Sequence, residues 1–415
     1  MQTHHVYLIS TELLPNLMHA RFSPPQIAWL IATPPMMNKA LQLRAMLESR
    51  SIVVHIEPLP AELLSEQMTC AEGFAVGIRR DYPSDTVVLN FTCGTKLMAL
   101  AFLSGFQAAY ADLPRQFATC YVDTEHQRFE RLESEEVQAL PPQLLSIKEH
   151  LQANGVGLLP FSAAIDSTYF DRAIHRYKFT CSLLNSAVHP LLSTFSRVNS
   201  DKARYEARWG QSPRIINTDP FKLDFNRASV ATAAIDQCVL HGMLTRVDTA
   251  RYQFTDVEAA RYLTGGWLEE YVWIETQRAV PNFDPNDLRL GAFVDNSPVE
   301  NITRQDEKWR NEIDVIALHN HRLLMIECKT GHLDTAENVK KEGAQAAVYK
   351  LDSLRQQIQR KFSECVLVSL HPLPWGAASR AAALGIHVVQ NADVPHVGEM
   401  ISEWAETGLW HRNRY

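Results

Sequence analysis

The chain has 415 residues, of which 46% are hydrophobic and 21% are charged, with a formal net charge of −7. This length exceeds what one hydrophobic core usually serves, so two or three domains are expected. The hydrophobic and charged fractions are those of an ordinary globular protein. The negative net charge excludes a surface coated with basic residues, so a nucleic acid would have to bind in a local groove.

Cysteine usage and hydrophobic patterning indicate a cytoplasmic protein without a membrane partner. The seven cysteines are scattered, and no two of them form a C-x-x-C pair, which favours neither a disulfide framework nor a zinc knuckle. The uncharged apolar stretch Leu97–Ala111 is shorter than the roughly 18 residues that a membrane span requires. The amino terminus lacks the basic and then apolar regions of a signal peptide.

The first 125 or so residues alternate short apolar runs with helical patterns. The predicted strands are Val6–Ile9, Ile27–Ala32, Ile52–Ile56, Thr86–Asn90 and Thr119–Asp123, and the predicted helices are Pro35–Glu48 and Lys96–Tyr110. This alternation predicts a parallel α/β sheet. Ligands of such sheets bind beyond the carboxyl ends of the strands, where three polar loops lie: Ser10–Asn16, Thr33–Met37 and Asn90–Lys96.

We expect three parts in the chain: residues 1–145, a connector of residues 146–254, and residues 255–415. In the connector, a helical segment, Ala228–Gly242, is followed by Leu244–Phe254, which is typical of a small winged-helix-like unit. The third part is a second α/β pattern. Its predicted elements are a helix at Trp267–Gln277, two strands, a helix at Ala336–Lys361, a strand at Cys365–Leu370, a helix near Ala377–Leu384 and a strand at Ile386–Gln390.

The two strands of the third part carry the acidic residues that indicate chemistry. Asn311–Leu318 and Leu323–Lys329 are predicted to form a hairpin that turns at Asn320-His321. A two-residue turn at that position sets Asp314 opposite Glu327. It also sets Glu312 opposite Lys329, where Glu312 would orient the lysine. Because side chains alternate along a strand, Glu327 and Lys329 share a face with Asp314.

This convergence of carboxylates predicts a metal site. Like charges that face each other across a sheet destabilise it, and Mg²⁺ or Mn²⁺ would compensate for them. The predicted ligands are the carboxylates of Asp314 and Glu327 and the carbonyl of Cys328. The metal would generate a nucleophile from water, and Lys329 would hold that water or a phosphate. The alternative is a merely solvated charged face, which the strongly apolar strands disfavour.

Residues 255–395 resemble the PD-(D/E)xK nuclease superfamily. Asp314 matches the strand-end Asp of its pattern, Glu327 the second acid and Lys329 the lysine. Ile313 stands where a Pro is common. The resemblance implies a restriction-endonuclease-like α/β domain that hydrolyses phosphodiester bonds with a metal, and it makes Asp314, Glu327 and Lys329 catalytic residues.

Two helical elements extend the resemblance. The segment 265–270 (GGWLEE) looks like the helix that bears the first acid of the superfamily. Glu269 is the predicted acid, because Leu268, Tyr271 and Val272 form the core stripe; Glu270 is the alternative. Residues Gln345 and Tyr349 lie one helical turn apart, as in the Q-x-x-x-Y element of some of these nucleases, although an ordinary amphipathic helix fits them equally well.

The loop Thr92–Lys96 follows a strand and opens a helix. Backbone N–H groups at a helix N-terminus, together with hydroxyls and a lysine, suit a phosphate. The Walker A pattern is missing. The alternative is a Thr-capped helix with an exposed lysine, for which the loop alone is equally good evidence.

Residues 1–130 resemble the CARF sensor domains of type III CRISPR proteins. Residues Thr92–Met98 are similar to the T-G-G-T-K-x-M motif of those domains, with Cys93 in place of the first Gly, and Ser10 with Pro15-Asn16 looks like their first loop. The resemblance implies a Rossmann-like fold and a ligand site at the three loops. The predicted ligand-binding residues are Ser10, Thr11, Thr33, Asn90, Thr92, Gly94, Thr95 and Lys96.

A CARF domain followed by a PD-(D/E)xK domain resembles the Card/Can nucleases. The resemblance implies a homodimer that binds cyclic tetra-adenylate across a two-fold axis. It also implies an endonuclease dependent on Mn²⁺ or Mg²⁺ that cleaves single-stranded DNA or RNA in antiviral defence, and in some members nicks supercoiled plasmid. Two alternatives are an unregulated restriction or repair nuclease, disfavoured by the loops, and a ligand-sensing regulator that binds nucleic acid without cleavage, disfavoured by the acid set.

Overall fold

The structure is a computed structural model that describes residues 1–60, 63–159, 167–202, 220–223, 229–280, 287–295, 310–331, 343–358 and 360–410. The chain divides into two compact units, Met1–Val156 and Gly157–Tyr415. Over the described ranges, no helix combines the length and the apolar character needed to cross a membrane. The domain boundaries near residues 145 and 254 stay predictions.

The first unit is built on a seven-stranded sheet with the order β3-β2-β1-β4-β5-β6-β7. Its strands are β1 (Thr3–Leu8), β2 (Ile27–Ala32), β3 (Val53–Pro58), β4 (Thr86–Asn90), β5 (Phe117–Asp123), β6 (Arg128–Arg131) and β7 (Ser134–Ala139). Strands β1 to β5 pair in parallel, which confirms the predicted parallel α/β sheet. Strands β6 and β7 extend it as an antiparallel hairpin that the apolar pattern did not indicate.

Helices cover this sheet. They are α1 (Leu14–Phe22), α2 (Met37–Glu48), α3 (Leu64–Asp81), α4 (Lys96–Ala109) and α5 (Ile147–Ala153). Helix α1 begins inside the predicted loop Ser10–Asn16, so the loop is shorter than predicted. Helices α3 and α4 pack closely at Gly105, where an added Cβ would lie 2.8 Å from the backbone nitrogen of Glu72.

A cluster of buried histidines lies in this unit. The rings of His5 and His19 stack with centroids 4.3 Å apart, and His5 Nδ1 shares a 2.8 Å hydrogen bond with the hydroxyl of Tyr7. Burial lowers the pKa of His19 to about 3, and the nearby charge of Arg131 adds to this effect. Burial also lowers the pKa of His5 well below its usual range. Both rings are therefore neutral in the folded protein at neutral pH.

We expect this neutrality to make the first unit sensitive to acid. Above pH 6.5 neither state carries the extra protons, whereas below it the unfolded chain takes up protons that the buried rings refuse, so stability falls toward pH 3. At pH 5 the neutral His19 ring lowers the free energy of unfolding by about 2 kcal/mol relative to pH 7. His19→Phe should therefore lose less stability than the parent between pH 7 and pH 5, measured by urea unfolding. The exposed His126→Phe is the control, and an equal loss in all three proteins would contradict the account.

The second unit contains a six-stranded sheet with the order β16-β15-β14-β13-β12-β8. Its strands are β8 (Gly157–Leu158), β12 (Leu288–Asp295), β13 (Arg310–His319), β14 (Arg322–Lys329), β15 (Ser363–Ser369) and β16 (His387–Gln390). The pairs from β8 to β14 are antiparallel, and β14, β15 and β16 are parallel. This mixed sheet confirms the predicted second α/β fold.

The helices of this sheet are α10 (Trp267–Ala279), α11 (Ala344–Gln357), α12 (Trp375–Leu384) and α13 (Val397–Thr407). Helix α10 packs against β12, β13 and β14 and against α13, whereas α11 packs against β15 and α12. The predicted helix Ala336–Lys361 is observed from residue 344 to 357, and its first residues lie outside the described part of the chain.

The connector elements pack into the core of the second unit. They are α6 (Ser167–Ser182), α7 (His189–Lys202), β9 (Phe221–Lys222), α8 (Ser229–Leu240), β10 (Leu244–Arg246), β11 (Arg251–Phe254) and α9 (Val257–Arg261). Strands β10, β11 and β9 form an antiparallel sheet. Buried residues of the connector, such as Phe195 and Leu244, belong to the same hydrophobic cluster as Trp267 and Val315. The helix–strand–strand order α8-β10-β11 suits a winged-helix-like unit, which stays a prediction.

Candidate functional site

The hairpin of β13 and β14 has the predicted register. Residues Asn320 and His321 have φ angles of 47° and 61°, as the two central positions of a tight hairpin turn require. The cross-strand pairs run from His319 and Arg322 to Val315 and Ile326. One step further along this register, Asp314 stands opposite Glu327.

Both of these carboxylates are buried. The exposed fraction is 7% for Asp314 and 2% for Glu327. Asp314 Oδ2 accepts a hydrogen bond of 2.6 Å from the backbone N–H of Cys328. Glu327 pairs with two lysines: its Oε1 lies 2.8 Å from Lys329 Nζ, and its Oε2 lies 2.5 Å from Lys350 Nζ. The structure therefore brings Asp314, Glu327 and Lys329 together, as predicted from the sequence, and adds Lys350.

The electrostatics of the site favour a bound cation. Burial raises the pKa of Asp314 well above its usual range, and the neighbouring carboxylates of Glu327 and Glu269 raise it further. The charges of Lys329 and Lys350 only partly oppose this effect. Ionising Asp314 in the folded protein therefore costs free energy that a metal ion would offset.

Helix α10 begins directly after a kink, and its first turn carries Glu269 and Glu270. The preceding turn, Tyr262–Gly266, is π-helical, and Gly265 has a φ of 154°, which a side chain would strain. An added Cβ at Gly265 would also lie 3.3 Å from Thr330 Oγ1, so the glycine allows the start of α10 to approach the end of β14.

The two glutamates of α10 have different environments. Glu270 is fully buried and accepts hydrogen bonds from Arg176 Nε and the hydroxyl of Tyr169, each 2.8 Å long. It is thus bound to helix α6. Burial raises the pKa of Glu269, and the charges of Glu312 and Glu327 act in the same direction. This environment favours Glu269 over Glu270 as the helix acid of the site.

Glu312 has a different cationic partner from the one expected. Arg261 Nη2 donates a hydrogen bond of 3.2 Å to Glu312 Oε1, whereas Lys329 pairs with Glu327. The observed geometry therefore assigns the positioning of Lys329 to Glu327, and it places Glu312 at the edge of the site beside Arg261.

The donor set fits a hard cation such as Mg²⁺ or Mn²⁺. Within the described ranges, no three His, Cys, Asp or Glu side chains form a ready-made metal cage. The donors that converge are the carboxylates of Asp314 and Glu327, and the backbone carbonyl of Cys328 stays a predicted third donor. Mg²⁺ is commonly held by one or two carboxylates together with water and phosphate oxygens. The residues present therefore fit such an ion, which substrate oxygens and water would complete.

Helix α11 contributes the lysine that the sequence analysis missed. The predicted pair Gln345 and Tyr349 is exposed, and the guanidinium of Arg380 lies 5.8 Å from the centroid of the Tyr349 ring. The next residue, Lys350, turns inward to Glu327. The signal was present in the sequence: Lys350 falls on the helical stripe of the buried Ala347 and Leu354. A lysine at such a position needs a carboxylate partner.

The three loops of the candidate ligand site meet at one edge of the first unit. Strand β1 lies between β2 and β4, all three are parallel, and the loops follow their carboxyl ends. Gly94 has a φ of 84°, and an added Cβ there would lie 2.9 Å from Leu8 Cβ. Only glycine therefore allows this loop to lie against the end of β1. The thiol of Cys93 donates a 3.3 Å hydrogen bond to the carbonyl of Glu12, so Cys93 joins two of the loops.

Some predicted ligand-binding residues support the loop, and others face solvent. Asn90 is fully buried, donates to Asn16 Oδ1 at 3.2 Å and accepts the hydroxyl of Thr92 at 2.6 Å. Thr95 caps helix α4 by accepting the N–H of Met98 at 3.1 Å. The residues with exposed side chains in this set are Thr11, Thr95 and Lys96, and those of intermediate exposure are Ser10, Thr33, Thr92 and Gly94. The exposed residues are therefore the candidates for direct contact with a ligand.

Comparison with known proteins links each unit to a described family. Residues 4–150 match the family model described as the Card1 CARF domain. Residues 256–407 match the model described as the Card1-like endonuclease domain. No curated protein matches the chain.

Solved structures share the fold over nearly the whole chain. Protein VC1899 from Vibrio cholerae has a TM-score of 0.76 at 18% identity, with 99% of both chains covered. Can2 from Sulfobacillus thermosulfidooxidans, solved in complex with cyclic tetra-adenylate, has a TM-score of 0.69 at 22% identity, with 97% of both chains covered. A type III CRISPR defence DNA nuclease activated by cyclic oligoadenylate has a TM-score of 0.50 at 14% identity over 93% of this chain and 47% of the other. The chain thus has a Card1 CARF domain followed by a Card1-like endonuclease domain.

Proposed function

We propose that this protein is a metal-dependent endonuclease that cyclic tetra-adenylate activates, acting on single-stranded DNA or RNA in type III CRISPR defence. The observation that carries the proposal is the buried pair of Asp314 and Glu327, on which Lys329 and Lys350 converge. A buried carboxylate pair at a strand end is costly for a purely structural sheet and useful for a metal-assisted hydrolase.

The residues of the site divide the work of phosphodiester hydrolysis. Asp314, Glu327 and the carbonyl of Cys328 would hold Mn²⁺ or Mg²⁺, which supplies Lewis acidity toward the phosphate. Lys329 would hold the attacking water or the scissile phosphate as a positive point charge. Glu269 lies near the carboxylates of Glu312 and Glu327 and would position water through its own carboxylate. Lys350 pairs with Glu327 and orients it.

The first unit supplies the regulatory half of the proposal. Lys96 and Thr95 at the N-terminus of α4 provide a cation, a hydroxyl and backbone N–H groups for a phosphate of cyclic tetra-adenylate, called the ring below. A homodimer would present the same patch twice, which suits a ring with internal symmetry. The ring would activate the enzyme by binding one arrangement of the dimer more tightly than another.

Substitution of either lysine should reduce cleavage without abolishing metal binding. Lys350→Met and Lys329→Met each remove one positive charge beside Glu327, so we expect activity to fall on the order of 100-fold, as for one lost electrostatic contact to a transition state. Mn²⁺ affinity, measured by calorimetry, should be retained or increased, because a competing cation is gone. Lys178→Met, on the exposed face of α6, is the matched control. Full activity of Lys350→Met would contradict a role of Lys350 in cleavage.

Activation by the ring is tested by cleavage of labelled single-stranded DNA and RNA with Mn²⁺, with and without cyclic tetra-adenylate. We expect cleavage only when the ring is present. Lys96→Ala should need at least about tenfold more ring for half-maximal cleavage, because it loses one charge-assisted phosphate contact. The rate at saturating ring should stay unchanged, since the nuclease site is intact.

Arg115→Ala controls for the loss of a positive charge in the first unit. Arg115 precedes the amino end of β5, whereas the three loops follow the carboxyl ends of the strands. Equal cleavage with and without the ring would indicate an unregulated nuclease. Ring binding without any cleavage would indicate a sensor that does not cut.

A further inference from the structure

Helix α12 begins with a tryptophan that lies almost entirely in solvent. The exposed fraction of Trp375 is 85%, the largest of any Phe, Trp or Tyr that the structure describes. Its indole makes neither a hydrogen bond nor a ring contact within the described ranges. Tryptophan is mostly buried in folded proteins and is enriched where proteins bind partners. This exposure therefore indicates a binding surface at the start of α12.

Trp375 lies on the same face and at the same end of the sheet as the candidate nuclease site. Lys350 of α11 pairs with Glu327, so α11 covers the face to which Glu327 and Lys329 point. Helix α12 packs against α11 and therefore covers that face as well. Strands β14 and β15 are parallel, and α12 follows β15, so its first residue lies near the carboxyl end of β14.

The path along the chain from the candidate site to Trp375 is short. The N–H of Leu370 donates a hydrogen bond of 2.8 Å to the carbonyl of Lys329. Trp375 follows five residues later, so its Cα lies within about 18 Å of the Cα of Leu370. Stacked nucleotides of one strand are about 3.4 Å apart, so about five of them cover this distance. A strand with one phosphate at Lys329 therefore reaches Trp375 with a nearby base.

The surface around Trp375 suits an anionic strand. Between Leu370 and Leu384 the chain has no Asp or Glu. Arg380, on the same helix, has no carboxylate partner in the part of the chain that the structure describes, and its guanidinium lies 5.8 Å from the centroid of the half-exposed Tyr349 ring. Stacked aromatic rings and cationic side chains are the two means by which proteins hold single strands.

We propose that Trp375 stacks on one base of the single strand, within about five nucleotides of the cut, and that Arg380 contacts the phosphate backbone of the same strand. The inference rests on the proposed nuclease function. It adds a place outside the catalytic centre at which the substrate is held.

The stacking contact is tested by steady-state cleavage of a labelled single-stranded oligonucleotide with the ring and Mn²⁺ present. Trp375→Ala should raise KM about tenfold, the scale of one lost stacked base, and leave kcat unchanged. Trp375→Tyr should stay close to the parent because it keeps a flat face, whereas Trp375→Leu should resemble Trp375→Ala. Leu240→Ala, which removes a 74% exposed apolar side chain at the end of α8, is the matched control.

The phosphate contact is tested by binding of the same oligonucleotide without metal, followed by fluorescence anisotropy at several salt concentrations. Arg380→Gln should lower the slope of log affinity against log salt by about 0.7, the contribution of one phosphate contact to a single strand. Trp375→Ala should weaken binding and leave the slope unchanged. Lys178→Gln, on the exposed face of α6, is the control for a lost positive charge.

A parental KM in Trp375→Ala, or parental affinity in Trp375→Leu, would overturn the stacking contact. Unchanged strand affinity together with a smaller mass of Trp375→Ala in solution would assign Trp375 to a contact between copies, which also overturns it. A parental slope in Arg380→Gln would overturn the phosphate contact. A parent protein that binds strands with this dependence on Trp375 and cleaves none of them would overturn the proposed function alone.

Discussion

The second unit is organised around two carboxylates that face each other inside a sheet. Asp314 and Glu327 are buried, and the pKa of Asp314 is raised by burial and by its acidic neighbours. Such a pair weakens a β-ladder unless cations approach it. The two lysines at Glu327 and the hydrogen bond from Cys328 to Asp314 supply part of this compensation. The negative charge that these contacts leave uncompensated makes the site suitable for a divalent ion.

The surrounding fold keeps these groups in register. The tight turn at Asn320 and His321 fixes the pairing of β13 and β14. A shift by one residue would place both Glu327 and Lys329 on the face of the sheet opposite to Asp314. The salt bridge between Arg176 and Glu270 binds α6 to the start of α10, with the guanidinium of Arg176 4.4 Å from the centroid of the Tyr262 ring. This contact fixes the rotation of α10 and therefore the direction of Glu269. The connector thus supports the geometry of the nuclease site.

Much of this arrangement follows from short-range patterns in the sequence. The parallel strands are continuous apolar runs, and the hairpin register follows from a two-residue turn. Lys350 and the buried bond of Glu270 to Arg176 could not be predicted with the same ease. Their partners lie 23 and 94 residues away in the chain and meet only through helix packing. The hairpin of β6 and β7 and helix α3 were also missed, because their exposed faces weaken the apolar pattern.

The central claim, that a metal ion compensates for the buried pair, is tested most directly by calorimetric titration of Mn²⁺ at pH 6 in two buffers of different ionisation enthalpy. Because Asp314 has a raised pKa, metal binding should release protons from the folded protein. Asp314→Asn keeps an acceptor for the N–H of Cys328, and it should bind Mn²⁺ at least about tenfold more weakly and release fewer protons. Equal affinity and equal proton release in the two proteins would contradict the account.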